Sequence, residues 1–443
     1  CDTEVILHLY EDHGEGFVEH LNGMFAIAVW DARRERLVLV RDRLGVKPLY
    51  WHDNGQRVAF ASELKAILAA GDVDPRVDPL ALHDYLTFGH VPAPRTIFEG
   101  VSKLEPGHLA VCTANGTRVR AYWSIPTPES GSPTTPEAFE TLLADAIRLR
   151  SLADVPVGAF LSGGVDSATI VTGMCRFGVG TRAMTQTVGF NEADHDERTA
   201  AAEVASLLGT DHRKLVVRAD AAGTLQRLIR HFDEPFADSS CIPTFYLAQA
   251  TRERVKVALS GDGGDELLGG YRRYRFDVAE ARLRRAIPGF LRRPIASALG
   301  AIYPKADWLP RPLRAKRTLQ NLACDDVTAH LRSVALCAGE LPGQLLRAEV
   351  VQASAGYDAF DRARQLYAAY RTADPLARVL YLDARTLLPD DMLTKVDRAS
   401  MAVGLEVRTP LLDYRLVECV ARLPSPQRMG KRVLRDLLAR WCS

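Results

Sequence analysis

The chain lacks any excess of charge. Its 443 residues carry 56 Lys and Arg against 55 Asp and Glu, a formal net charge of +1. That balance gives no general attraction to nucleic acid or to a membrane surface. The arginines of Arg272–Arg275 form a local patch and read as a solvated helix face. No apolar run approaches the roughly 20 residues that a spanning helix needs, and no signal peptide opens the chain. The eight cysteines are scattered, without a C-x-x-C pair or a His–Cys cluster. This argues against a zinc site or a disulfide framework, and buried thiols in a reducing, cytoplasmic setting are expected. The phosphate-binding G-K-[ST] signature is missing, as is G-x-G-x-x-G, which disfavours a Walker or dinucleotide site. An initiator Met is missing too: Cys1 leads directly into a helix signal, the kind of start expected of a fragment without its true N-terminus.

What is present is an ordinary globular composition, 47% hydrophobic and 25% charged. The length suggests two or three domains. Asp2 or Thr3 can cap a helix with the stripe Val5, Ile6, Leu9 and Tyr10, ending near Gly14. Residues 1–123 read as mainly β. Met24–Trp30 and Arg36–Val40 are apolar runs joined by a polar stretch, a hairpin pattern. A short strand is expected at Val58–Ala61 and a helix at Ser62–Ala70. Residues 124–137 are rich in Pro, Ser, Thr and Gly and read as a linker. Beyond it, strands and helices alternate: strand Val155–Leu161, helix Ser167–Cys175, strand Thr185–Phe190, helix Asp196–Leu208, then strands Arg213–Val217 and Val255–Leu259. Alternation of this kind implies a parallel sheet covered on both faces. From about residue 275 the pattern is mostly helical.

The strongest local pattern is Ser162-Gly-Gly-Val-Asp-Ser167, set between an expected strand and helix. Gly163 and Gly164 let backbone N–H groups approach a phosphate closely. The helix N-terminus adds its dipole. Ser162 and Ser167 supply hydroxyl donors. Asp166 would repel phosphate and is expected to hold Mg²⁺. A second loop, Ser260-Gly-Asp-Gly-Gly-Asp-Glu266, follows another strand. Ligands of parallel sheets bind at the carboxyl ends of strands, so Asp166 and Asp265 are expected to converge on one Mg²⁺.

The first loop resembles the PP-loop of ATP pyrophosphatases. Both loops, with Leu393-Thr-Lys-Val-Asp-Arg-Ala-Ser-Met401 and Leu405-Glu-Val-Arg-Thr-Pro-Leu-Leu-Asp413 in the same order, resemble the glutamine-hydrolysing asparagine synthetases. Asn22-Gly-Met-Phe-Ala-Ile-Ala28 and Arg41–Tyr50 resemble the second half of that family's glutaminase domain. Tyr303–Trp308 and Tyr271–Tyr274 are similar to the subgroup tied to exosortase and exopolysaccharide loci. The resemblance implies an α+β part at 1–123, a portion of an N-terminal-nucleophile glutaminase sandwich. The linker 124–137 follows, then an α/β PP-loop ATP pyrophosphatase domain at 138–443 with a helical C-terminal part.

The same resemblance implies ATP and Mg²⁺ as cofactors, glutamine as ammonia donor, and aspartate or another carboxylate as acceptor, with a homodimer as a possible assembly. It places Leu161 and Val188 at the adenine and ribose, Ser260 and Gly261 on the nucleotide, and Asp262 at the acyl-adenylate. It makes Lys431 a charge-stabilising lysine for adenylation and Asp2 a ligand of the glutamine amine. Lys395 and Arg398 stay open between structural and site-lining roles. Cys1 directly precedes a segment that the family places well inside the domain, so it is not expected to be the glutaminase nucleophile, and the C-terminus also reads as cut. Phe236-Ala-Asp-Ser239 departs from the Thr-Thr-x-Arg of well-studied asparagine synthetases, which puts aspartate as acceptor in doubt, although many bacterial members of the family share the variant.

Overall fold

The structure, a computed structural model, describes residues 1–71, 73–177, 182–189, 198–217, 220–304, 315–337 and 344–442. The N-terminal part runs α1 (Asp2–His13), β1 (Ala26–Asp31), β2 (Arg36–Arg41), β3 (Tyr50–Asp53), β4 (Val58–Ala61), α2 (Leu64–Ala69), α3 (Pro79–Phe88), β5 (Ser102–Lys103), β6 (His108–Thr113) and β7 (Gly116–Ala121). The strands form two antiparallel sheets, ordered β1-β2-β6-β7 and β4-β3-β5.

Alternation along β2 explains the layering, because successive side chains leave a strand on opposite faces. Val38 and Val40 join Ile27, Val29 and Leu109 under Tyr10 of α1. Leu37 and Leu39 face the other way, toward Leu49, Leu104 and Trp51 of the second sheet. The far side of that sheet packs Tyr50 against Leu64 and Ile67 of α2 and Ala81 of α3. The result is a helix–sheet–sheet–helix sandwich, with more helix than the mainly β expectation allowed. Helix α3 escaped the sequence reading although Asp78 caps it, accepting from the Leu80 amide, and Pro79 sits in its first turn.

The second part runs α4 (Pro136–Arg150), β8 (Val157–Phe160), α5 (Val165–Phe177), β9 (Met184–Gly189), α6 (Arg198–Leu208), β10 (Asp211–Val216), α7 (Ala221–Phe232), α8 (Cys241–Arg252), β11 (Val257–Leu259), α9 (Gly264–Leu267) and α10 (Arg272–Ala286). Mostly helical chain follows, broken by β12 (Glu406–Arg408). The sheet order is β10-β9-β8-β11-β12, all parallel. Strand β12 was not expected; it is three residues long, too short for any periodicity, and pairs Val407 with Ala258. Phe190 and Asp196, the ends of an expected strand and helix, and most of Tyr303–Trp308 lie outside the described residues.

Both faces of the sheet are covered. On one, Leu259 and Ala159 pack against Phe139, Leu143, Ile170 and Leu437. On the other, Ala258 and Val407 meet Ala248 of α8 and Val396. From β8 the chain moves outward to β9 on one side, while β11 lies on the other. The β8/β11 boundary is therefore a switch point, where a crevice opens beyond the strand ends.

Residues 124–137 lie along the second part. Ile125 is buried, Tyr370 donates to the Pro126 carbonyl at 2.7 Å, and Thr134 donates to the Cys419 carbonyl at 2.7 Å. The two parts are further joined by Lys47–Asp397 at 2.8 Å, Asn22 to Asp413 at 2.8 Å and the Ala93 amide to Asp390 at 2.8 Å.

Candidate active site

The two glycine-rich loops leave β8 and β11, the strands flanking the switch point, and so meet. The first is held by its own serines: the Ser162 and Ser167 hydroxyls are 2.8 Å apart, and the Gly164 amide donates to Ser162 Oγ at 3.1 Å. The hydroxyl of Ser162 thus satisfies an orphan donor at the start of α5, and the helix begins at Val165, two residues ahead of expectation. The loops touch without room for another atom. A Cβ on Gly261 would lie 2.8 Å from Asp166 Cβ, and one on Gly264 would lie 2.7 Å from the Asp166 carboxyl.

That approach brings Asp166 and Asp265 face to face, with the ammonium of Lys431 between them. Lys431 Nζ is 2.7 Å from Asp265 Oδ1 and also bonds Asp166 Oδ2. Burial pushes the Lys431 ammonium down, but the two carboxylates outweigh it and hold it above its ordinary value. Burial pushes the Asp166 carboxyl up against the pull of Lys431. Lys431 arrives on an unusual backbone. Gly430 and Lys431 both have positive φ, 68° and 60°, and their amides donate to the Gly269 and Leu268 carbonyls at 2.9 and 2.8 Å. A left-handed lysine costs about 1 kcal/mol, and the surrounding bonds hold it there, a pattern that gathers at functional sites.

The cleft over these groups encloses about 370 Å³. Of the residues singled out from sequence, Leu161, Ser162, Asp166, Ser167, Val188, Ser260, Gly261, Asp262 and Asp265 line it. Gly163 and Gly164 stand exposed on the loop beside it. Asp262 accepts from Ser260 Oγ, and burial lifts its carboxyl above the usual range against the pull of that bond and of Lys395. Asp2 is not brought here: it stands exposed on the first turn of α1 and accepts the Thr3 amide at 2.9 Å. Cys1 is exposed as well, its amine 3.1 Å from Glu4.

The structure separates Lys395 from Arg398. Lys395 lines the cleft and binds Asp238 Oδ2 at 2.8 Å. Arg398 points toward the N-terminal part, donating to the Ser62 carbonyl at 2.7 Å. Glu266 and Tyr271 also line the cleft and were missed. Tyr271 donates to Glu266 Oε1 at 2.6 Å, and burial raises the Glu266 carboxyl to about 7. Glu266 ends the second loop's acidic run, which was the available signal; nothing local marks Tyr271 as its partner.

A second cavity, about 360 Å³, lies between the two parts of the chain. His90, Ala93 and Glu105 line it from the N-terminal side, and Asp238, Asp391 and Met392 from the other. Met392 lines both cavities.

Comparison with known proteins shows the family. Residues 138–442 match the family described as asparagine synthase, and residues 1–123 match the glutamine amidotransferase domain. A Mycobacterium tuberculosis protein provisionally named a glutamine-hydrolysing asparagine synthetase is 32% identical over 99% of this chain and 67% of its own length. Glutamine-hydrolysing asparagine synthetase 1 of Bacillus subtilis is 30% identical over 96% of this chain and 65% of its own length. The amidase chry2 of Gibberella zeae is 28% identical over 97% of this chain and 67% of its own length. The chain therefore spans about two thirds of the length of these relatives. With a match over most of its length, the chain belongs to the asparagine synthase family, a glutamine amidotransferase domain preceding the synthase domain.

Proposed function

We propose that the protein forms an amide from a carboxylate, with aspartate as acceptor and glutamine as the source of ammonia. The carboxylate attacks the α-phosphorus of ATP and pyrophosphate leaves. Ammonia then attacks the acyl carbon and AMP leaves. The observation that carries this reading is the meeting of Asp166, Asp265 and Lys431 at the carboxyl edge of a parallel sheet.

Each group has a task in that scheme. Ser162, Ser167 and the first amides of α5 face the phosphates. Attack on the α-phosphorus gathers negative charge, and a positioned ammonium such as Lys431 counts most where water is excluded. Asp166 and Asp265 suit Mg²⁺, which is commonly bound by one or two carboxylates plus substrate phosphates. Asp166 Oδ1 is buried without a hydrogen-bond partner, and no cluster of three or more His, Cys, Asp or Glu suited to a metal occurs among the described residues, so nucleotide oxygens would complete such a site. The ion would neutralise the β- and γ-phosphates. The interdomain cavity supports internal passage of ammonia, which is mostly protonated in neutral water.

One observation favours a different acceptor within the same chemistry, such as a carboxylate of a peptide or a surface sugar. The Phe236–Ser239 segment commits Lys395, a cation in the cleft wall, to Asp238, and so competes for it with the second carboxylate that sets aspartate apart from a simple carboxylate. Pyrophosphate release from ATP, measured with ammonium chloride and a series of carboxylates, tests both readings. Release that depends on aspartate supports the first, release with another carboxylate alone supports the second, and release with none defeats the chemistry.

A further inference from the structure

The nucleotide cleft and the interdomain cavity are separated by very little. Lys395 stands in the wall of the first and Asp238 in the wall of the second. They touch each other at 2.8 Å, and Lys395 Nζ lies 3.4 Å from the sulfur of Met392, which lines both spaces. An ammonium, a carboxylate and a thioether therefore form a partition between the place where an acyl-adenylate would form and the space beneath the glutaminase part.

Resting on the function proposed above, we propose that Lys395 binds the acceptor's carboxylate, that Asp238 occupies its ammonium until the acceptor arrives, and that this exchange opens the partition. Lys395 is suited to the role by position. It faces the cleft near Asp262, whose carboxyl it stabilises electrostatically. Lys431 is already shared between Asp166 and Asp265. Lys395 has one carboxylate, and that one comes from a turn ahead of α8 rather than from the nucleotide loops. Asp238 is kept ready to part from it, because the Ser240 amide and hydroxyl also donate to its Oδ1, at 2.8 and 2.7 Å. Those bonds retain the carboxylate when the lysine turns away.

The exchange is balanced physically. A carboxylate ligand replaces a carboxylate side chain on the same ammonium, and the released Asp238 carboxylate keeps the Ser240 amide and hydroxyl as donors. Two carboxylates close to one cation repel, and the repulsion moves Asp238 aside. A passage that opens only when acceptor is seated keeps ammonia from being spent on an empty cleft. The segment 236–239, which supplies Asp238, is then a determinant of acceptor handling.

The test uses the full chain with ATP, Mg²⁺ and ammonium chloride, and L-aspartate as the probe acceptor. For Lys395→Met the aspartate KM should rise about a hundredfold with the ATP KM little changed, the loss expected when a charged hydrogen bond to a ligand is removed. Lys395→Arg should recover most of it. Asp238→Asn should lower the aspartate KM several-fold, because the neutral amide competes weakly. It should also raise AMP formation in the absence of ammonium, as water enters through the loosened partition. A structural role alone would move both variants toward lower kcat and lower melting temperature, without opposite changes in KM. Wild-type release with an unaltered aspartate KM in both variants overturns this proposal and leaves the function standing. Absence of pyrophosphate release in the wild type with every carboxylate overturns both, and release with another carboxylate alone moves the KM comparison to that acceptor.

Discussion

Lys431 and Asp265 meet at 2.7 Å although one precedes the last helix and the other follows β11. The contact is secured by backbone as much as by charge, since the Lys431 amide donates to the Leu268 carbonyl at 2.8 Å. The lysine therefore moves with the loop that carries Asp265, and the electrostatic centre of the cleft is assembled before any ligand enters. Four expectations follow from this arrangement and from the buried charges around it.

Replacing Lys431 with Met should lower pyrophosphate release by about a hundred- to a thousandfold, the range for loss of one preorganised charge-stabilising donor. The ATP KM should change less than kcat. An equal loss of both, measured by steady-state kinetics, would point to a binding role only.

Mg²⁺ removal by a chelator should abolish pyrophosphate release, and Asp166→Asn should weaken its restoration by added Mg²⁺ more than Asp262→Asn does. Asp166 keeps a buried, unpartnered Oδ1, while Asp262 is engaged by Ser260. Equal metal dependence in both variants argues against the placement of the ion.

The pair Lys103–Glu234 joins the two parts of the chain in near-complete burial, and Lys103 also donates to the Val91 carbonyl at 2.5 Å. Lys103→Met should cost about 3–5 kcal/mol, because Glu234 would remain as an unpaired buried charge. The double variant Lys103→Met with Glu234→Leu should recover most of it. Denaturant unfolding of the single and double variants measures this, and additive losses would contradict the account.

His330 is fully buried between Asp277 at 2.9 Å and Asp383 at 2.8 Å. Burial pushes its imidazole down, but the two carboxylates outweigh burial and raise it to about 10. The folded value lies above the ordinary histidine value of 6.5, so its stabilisation is complete below about 6.5 and is lost as pH rises from there through about 10. Asp383 is shifted the opposite way: burial is outweighed by His330 and Arg273, and its contribution is present above the ordinary carboxylate range and lost in acid. The melting temperature should therefore fall between pH 7 and pH 10, and the slope should flatten in His330→Gln. A wild-type melting temperature that holds steady over that window would falsify the charged state assigned to His330.

Much of the cleft was legible in the sequence because its chemistry sits in short contiguous runs. Ser162–Ser167 and Ser260–Glu266 each carry glycines, hydroxyls and carboxylates within a few positions, and both follow apolar runs that form β8 and β11. The alternation after residue 137 was enough to expect a parallel sheet, since apolar runs of strand length between helical periods have few other arrangements. Strand ends and helix starts were less legible. Helix α5 starts early because Ser162 reaches across to the Gly164 amide, a contact that no periodicity records. Helix α3 was lost for a different reason: its apolar positions are spread around the helix, and only its cap and proline announced it.

The sequence by itself determined the two glycine-lined loops, the residue types at their tips, the near-neutral charge, and a sheet that would carry both loops to one edge. Those are local properties, set by backbone sterics and by side chains a few positions apart. Tertiary structure alone decided which distant groups meet at and around the cleft: Lys431 between Asp166 and Asp265, Tyr271 on Glu266, Lys395 on Asp238 rather than beside Arg398. It also set a cavity between the two parts of the chain. Partners of that kind are chosen by packing across long sequence separations, where the free energy of burying a charge depends on what the rest of the fold brings alongside it.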